Sequence, residues 1–284
     1  MENKDLKEIS IAVLIDADNI SAHYIQPMML EIARYGNPTI KRIYGDWTKP
    51  NLSGWKNHLL DYALSPVQQF AYTSGKNSTD SALIIDAMDI LYSESADAFC
   101  LVSSDSDFTR LATRLREAGK TVYGIGEQKT PNAFIASCDR FIYLEILEDE
   151  FEDESPQDKN PSVDSRSRNN KGRSKSKSGK QRERADHRAL QHVNDKLIHL
   201  IDQSIQDLED DDGWAYLGEV GQLITKKQPS FDARNYGFAK LSSLLLSIDR
   251  YEMDYKDIPK THSKQLFVRI KDDPNRIKRN ERSF

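Results

Sequence analysis

"LVSSDSDFTRLATRLREAGKTVYGIG", residues Leu101–Gly126, is the stretch that decides the fold. An apolar run ends on two acids one serine apart. An amphipathic segment follows at once, and a second apolar run closes the stretch. Strand, helix, strand with so short a connection is a βαβ unit, whose strands are parallel. Asp105 and Asp107 fall where the first strand gives way to the helix. Aspartates favour such places as N-caps, and Asp107 is well placed to cap "FTRLATRL". They are also hard oxygen donors, so a second reading stands beside the first: carboxylates gathered to hold a divalent cation.

Working outward, the same alternation recurs. "ISIAVLID" reads as a buried strand and "PMMLEIARYG" as a helix closed by glycine. "TIKRIYGD" is strand-like, "SGWKNHLLDYAL" helical and "VQQFAY" strand-like. "STDSALIIDAMDILYS" is helical, "AFCLVSS" a strand, and a short helix near Pro131–Ser137 leads to "RFIYLEI". Strands separated by helices give an α/β fold: a Rossmann-like, largely parallel sheet covered on both faces. Neither GxGxxG nor GxxxxGK[ST] occurs, so dinucleotide binding and a P-loop are unsupported.

This layout gives the acids positions. Asp16 follows "IAVLI" at the carboxyl end of the first strand, with Asp18 and Asn19 just beyond. Asp105 and Asp107 follow "FCLVSS" at the same end of a later strand. Open parallel sheets bind ligands at that end. Asp80, in "GKNSTDSALIIDAMD", stands near a helix start behind a polar loop. Taken singly, Asp80 fits a helix N-terminus and Asn19 a turn. Asp16 is harder to explain that way, because a carboxylate against an apolar core needs partners. Asp86 and Asp89 follow Asp80 by six and nine positions. At ~100° per residue they point away from it and are secondary. Carboxylates with few histidines nearby suit Mg²⁺ or Mn²⁺ rather than zinc. Such an ion suits phosphodiester hydrolysis, with Lys76 available to a phosphate or leaving group.

Bulk properties set the frame. The chain has 284 residues, 38% of them hydrophobic, with a net charge of -5. No apolar run approaches the ~20 residues of a spanning helix, and "MENKDLKEIS" has no apolar signal core. A cytoplasmic location without membrane contact is the expectation. Cys100 and Cys138 make no CxxC pair, the six histidines show no ligand spacing, and no GxSxG elbow is present. "EILEDEFEDESPQD" is acidic, whereas "SRSRNNKGRSKSKSGKQRERADHR" is basic and poor in apolar residues. The expected organisation is a first domain over 10–147, a disordered linker over 148–187, a second domain over 188–272 and a basic tail over 273–284.

The blocks "VLIDADNIS", "GKNSTDSALIIDAMD" and "LVSSDSDFTRLATRLREAGKTVYGIG" together resemble the NYN domain, in its LabA-like branch, over roughly Ile11 to Ile146. That family is related to PIN-type and FLAP-like nucleases. The resemblance implies a metal-dependent site for RNA, with Asp16, Asp80, Asp105 and Asp107 as catalytic and metal-binding residues. It matches Asn19 to the polar residue after the first acid and Lys76 to a basic residue of the middle block. Ser103 and Ser104 are the accompanying substrate-side positions. Ser104 stands where the family often has glycine, which bears on how closely the backbone approaches a ligand.

Beyond the linker, Leu190, Val193, Leu197, Leu200 and Ile201 make one helical stripe. Two further helices around Pro229 and a hairpin in "RYEMDYKD" and "KQLFVRIKD" give the order of a winged helix-turn-helix. "LGEVGQLITKKQPSFDARNYGFAKLSSLLLSI" resembles the OST-HTH, or LOTUS, domain, which implies RNA or protein partners. Lys226, Lys227, Arg234 and Lys240 are candidate phosphate contacts, while Tyr236 and Phe238 fit a core role better. The sequence thus points to a Mg²⁺- or Mn²⁺-dependent ribonuclease acting on single-stranded RNA, with a recruitment module. The rival is a non-catalytic RNA-binding or scaffolding adaptor. An aspartyl-nucleophile phosphatase, suggested by "DAD" after a strand, fits the remaining blocks less well.

Overall fold

A computed structural model of the chain describes residues 8–70, 78–147, 189–257 and 264–271. Lys76, the expected linker and the expected tail lie outside the described residues. The first domain runs β1 (Ser10–Asp16), α1 (Ile25–Ala33), β2 (Asn37–Gly45), α2 (Ser53–Lys56), β3 (Ser65–Gln68) and α3 (Ser78–Tyr92). It continues with β4 (Ala98–Val102), α4 (Thr109–Glu117), β5 (Thr121–Gly126), α5 (Asn132–Ser137) and β6 (Arg140–Tyr143). The six strands form one sheet in the order β3-β2-β1-β4-β5-β6, every neighbouring pair parallel. The order reverses between β1 and β4. There the crossovers leave in opposite directions and a crevice opens at the carboxyl ends.

Side-chain alternation assigns the two faces of the sheet. Ile11, Val13 and Ile15 pack with Met28 and Ile32 of α1. Ala12 and Leu14 pack with Leu83 and Ala87 of α3 and with Leu111 and Leu115 of α4. Asp16 continues the second set, so the pleat directs it to the side of the sheet that carries α3. All five residues of β4 are buried, as a central parallel strand requires. Gly119, at φ +78°, ends α4 in the left-handed conformation, and the chain returns through Lys120, whose N–H donates to Leu115 O.

Two elements are shorter than the sequence suggests. The helix expected over "SGWKNHLLDYAL" covers only Ser53–Lys56 and then breaks into turns. Trp55 is its anchor, buried with Nε1 donating to Ile20 O, while Leu59, Tyr62 and Leu64 reach the same core from the turns that follow and Leu60 is exposed. The strand expected at "VQQFAY" begins two residues earlier and ends at Gln68. Its Pro66 is compatible with an edge position.

The second domain runs α6 (Asp195–Gln206), β7 (Ala215–Tyr216), α7 (Leu217–Lys227), a 3-10 turn (Ala233–Tyr236), α8 (Leu241–Ser247), β8 (Tyr251–Asp257) and β9 (Lys264–Ile270). The expected hairpin is joined by β7 into a three-stranded antiparallel sheet, β7-β9-β8. Tyr236 is in the core and Phe238 packs against it, as expected. The helical stripe divides differently: Leu197 and Ile201 are core residues of α6, whereas Leu190 precedes the helix and packs against both apolar clusters of the first domain.

Leu190 is one of several contacts that dock the two domains. The second domain lies along β6, whose Phe141 N–H donates to Pro229 O at 2.9 Å, satisfying a donor on the open edge of the sheet. Beside it, Arg234 forks onto Glu31 with Nη2 to Oε1 at 2.8 Å and Nη1 to Oε2 at 3.0 Å. The same guanidinium holds Asp232, and Arg140 donates to Asp232 at 3.1 Å while stacking over the Tyr35 ring. Tyr35 Oη donates to Glu31 at 2.7 Å. Burial by itself would raise the Glu31 and Asp232 carboxyls, but the Arg234 hydrogen bonds and charge, with smaller contributions from neighbours, hold both below the ordinary range. Such a network tolerates loss of one partner poorly, because the remaining charges stay buried.

Arg234→Ala is therefore expected to cost about 3 kcal/mol of docking and to split thermal unfolding into two transitions. Glu31 and Asp232 have depressed folded pKa values. Their contribution is present above pH ~4.5 and fades as pH falls through those lower values. A single unshifted calorimetric transition in the variant would show that the network does not hold the domains together.

Candidate metal centre

The site is assembled from three segments at the crevice. Asp16 ends β1 and is 0% exposed. Its Oδ2 accepts from Asn19 Nδ2 and from Ser103 Oγ, the latter at 2.9 Å, and Oδ1 accepts the Asp18 N–H at 3.2 Å. Burial pushes its carboxyl up, against the opposing pull of the Asn19 and Ser103 hydrogen bonds. Ser103, just past β4, thereby ties the two central strands together at their ends. Its Oγ also accepts the Asp105 N–H at 3.1 Å. Asp105 then caps the 3-10 turn Ser106–Phe108 by accepting the Asp107 N–H at 2.9 Å. The capping expected of Asp107 thus belongs to Asp105.

Asp80 comes from the first turn of α3. A link between Thr79 Oγ1 and Asp18 Oδ2, at 3.0 Å, pins that turn to the loop after β1. In consequence Asp80, Asp105 and Asp107 each present a carboxylate oxygen, all within 4.8 Å of one another. Asp80 is 8% exposed. Burial first, and then the charges of Asp16, Asp105, Asp107 and Asp18, push its carboxyl up to about 6. The donors are all oxygen and the crowding is of like charge, which fits a hard divalent cation such as Mg²⁺ or Mn²⁺. Asp80, Asp105 and Asp107 are the residues that would hold it.

The other sequence candidates take varied places. Asp16 stands beside the trio, with its oxygens engaged by Asn19, Ser103 and the Asp18 amide. Asn19 therefore acts on Asp16 directly. Ser104 Oγ accepts the Glu127 N–H at 2.8 Å and so fastens this loop to the end of β5. Gly126 lets β5 come close here, since a Cβ would stand 2.6 Å from Ser103 O. Asp86 pairs with Arg42 and Tyr44 of β2, away from the trio, in keeping with its secondary status. In the second domain Lys227 donates to Asp207 at 2.7 Å. Arg234 departs most from expectation. Its side chain is only 11% exposed and bonded to two carboxylates, so the structure makes it a docking residue rather than a phosphate contact. Lys226 and Lys240 are exposed. Thr79 is a member that the sequence did not single out, and Asp18, noted there only as lying just beyond Asp16, joins it in holding the site.

The NYN domain family profile matches residues 10–145 and the OST-HTH/LOTUS domain profile matches residues 188–263. The chain carries an NYN domain followed by an OST-HTH/LOTUS domain. The first is a nuclease-like domain and the second an RNA-binding type of module. No curated protein matches the chain. Among solved structures, the chain is similar to a protein of unknown function from Vibrio parahaemolyticus. The two are 20% identical over 50% of this chain and 94% of that one, with a TM-score of 0.39. It is also similar to an uncharacterized protein from Nitrosomonas europaea, at 25% identity over 39% of this chain and 94% of that one, with a TM-score of 0.27. Among the described residues no helix is long and apolar enough to cross a membrane.

The NYN acids give a stability prediction of unusual sign. The folded pKa of Asp80 lies above its unfolded value. Its ionisation therefore costs nothing below pH ~4 and destabilises the metal-free fold progressively as pH rises through about 6. In EDTA at pH 7, Asp80→Asn should melt higher than wild type, by up to about 3 kcal/mol in stability. Mn²⁺ should raise the wild-type melting temperature and leave the variant nearly unmoved. A variant that melts below wild type in EDTA would refute charge crowding at this site.

Proposed function

We propose that the chain is a metal-dependent ribonuclease that hydrolyses RNA phosphodiester bonds at Asp80, Asp105 and Asp107, with the OST-HTH domain recruiting the RNA. The observation that carries this reading is the convergence of those three carboxylates at the point where the sheet order reverses. Burial first, and then the charges of its acidic neighbours, disfavour the ionised Asp80 carboxylate, and a divalent cation there would offset both. A bound Mg²⁺ or Mn²⁺ supplies Lewis acidity toward a phosphate oxygen and toward a water.

The protein's own part is positional. Asp16 and Ser103 fix the end of β1 against the loop after β4, so Asp105 and Asp107 approach Asp80 at a set distance. Asn19 orients Asp16, and the link from Thr79 to Asp18 sets the start of α3. Water is the nucleophile and the ribose oxygen of the broken P–O bond departs. Lys76 is proposed to balance charge at the scissile phosphate. Ser104 braces the loop against β5 on the substrate side.

Labelled single-stranded RNA incubated with Mn²⁺, Mg²⁺ or EDTA should be cleaved only with metal, and Asp107→Asn should reduce cleavage to background. Cleavage that survives EDTA or the substitution would place the chemistry elsewhere. Firm RNA binding without cleavage in either metal would identify an adaptor instead.

A further inference from the structure

The docked domains enclose a cleft of about 810 Å³. Its first-domain wall is the end of α1 and the start of β6, with Arg34, Tyr35 and Arg140. Its second-domain wall comes from α7 and the approach to α8, with Gln222, Lys226 and Lys240. Five cationic side chains line it against two carboxylates, Glu31 and Asp232, although the chain as a whole is acidic. Both carboxylates bond Arg234, and they also meet Arg34 and Arg140 respectively. The cations outnumber the acids, and Lys226 and Lys240 stand outside that network, so the cleft is net positive.

The cleft does not end at Lys240. A second hollow of about 530 Å³ shares Gly218, Gly221, Lys240 and Leu241 with the first and runs on to Tyr255 and Lys264 of the β8–β9 hairpin. Tyr255 is 65% exposed, a large ring standing in solvent on the wall of a basic hollow. Lys226, Lys240 and Lys264 form no ion pair among the described residues. Arg34 keeps a half-exposed side chain while its guanidinium also meets Glu31. The result is one trough with cations spaced along its length and an aromatic platform toward one end.

We propose that this trough binds a single strand of RNA, its phosphates on Arg34, Lys226, Lys240 and Lys264 and one base stacked on Tyr255. Spaced cations with an exposed ring are the requirements of single-stranded recognition, since any base offers a π-face and the backbone supplies the charge. A duplex hides its base faces and would leave Tyr255 without a partner. The site belongs to neither domain alone, because Arg34 faces the lysines only when Arg234 holds the domains together. It lies toward the amino ends of the strands, whereas the acids lie at the carboxyl ends. It therefore serves to capture RNA and takes no part in the chemistry. The inference rests on the RNA-directed reading above but is independent of whether the acids cut.

The test uses the full chain in EDTA, so that cleavage plays no part, with a fluorescent single-stranded RNA and a duplex of equal length. Lys240→Glu and Arg34→Gln should each weaken single-strand binding about tenfold or more at low salt. Removing one phosphate-binding cation should reduce the slope of log K against log salt by about 0.7. Tyr255→Ala should weaken the single strand at least about fivefold and leave the duplex unchanged. Lys196→Gln, on α6 and outside the trough, should change little. Circular dichroism and melting verify that each variant is folded. The proposal fails if folded Lys240→Glu and Arg34→Gln bind as wild type, or if Tyr255→Ala affects both RNAs equally. A chain that cuts in Mn²⁺ but ignores the trough substitutions sinks this inference alone. A chain that loses binding with them but never cuts supports it and sinks the nuclease reading alone.

Discussion

A carboxylate at the end of a buried strand must find partners or forfeit its charge, and Asp16 meets that constraint with neighbours from both sides of the crevice. Asn19 and the Asp18 amide come from its own loop, and Ser103 comes from the strand beside it. Because Ser103 also receives the Asp105 amide, the satisfaction of one buried acid fixes the position of the next. Asp105 in turn fixes Asp107. A chain of short, directed hydrogen bonds thus carries position from the sheet to the rim. The apolar packing of α3 and α4 on the same face of the sheet holds Asp80 opposite. The sheet pairing of β1 with β4 runs out at Ile15 and Val102, and the Asp16–Ser103 bond extends that hold to the loop that carries the remaining acids.

The second constraint is electrostatic and acts between domains. Arg234 is held by hydrogen bonds to two carboxylates, each of which has a further partner. A guanidinium is suited to this because its planar fork meets a carboxylate along two parallel bonds. The network settles orientation as well as contact, since Phe141 must reach Pro229 and Leu190 must fill the gap between the first domain's apolar clusters. Docking also separates charge across the molecule. Acids crowd the carboxyl ends of the sheet, and cations line the trough toward the other. The net charge of -5 conceals both regions.

Much of the first domain was legible because its signals are local. The alternation of apolar runs and helical periods specified a parallel α/β sheet, and the positions of Asp16, Asp105 and Asp107 relative to their strands followed from where each run stops. "SGWKNHLLDYAL" misled because its apolar spacing is real, but Leu59, Tyr62 and Leu64 meet the core from turns rather than from a helix. Leu190 and Val193 misled in the same way, continuing a stripe beyond the helix that carries it. Spacing puts Tyr236 in the core, where it lies, and brings Phe238 to pack against that core.

The sequence by itself determined where the central strands β1, β4 and β5 lie, which helices are amphipathic and which acids share the carboxyl edge of the sheet, because those properties depend on period and on neighbours a few residues away. Only the tertiary structure decided which of those acids meet, that Asp105 caps the turn expected of Asp107, and that Arg234 faces Glu31, 203 positions away. A charged side chain on a helix or turn reads the same whether it meets solvent, a phosphate or a buried carboxylate. The choice among these is set by the packing of segments far apart in the chain, and local pattern carries no record of it.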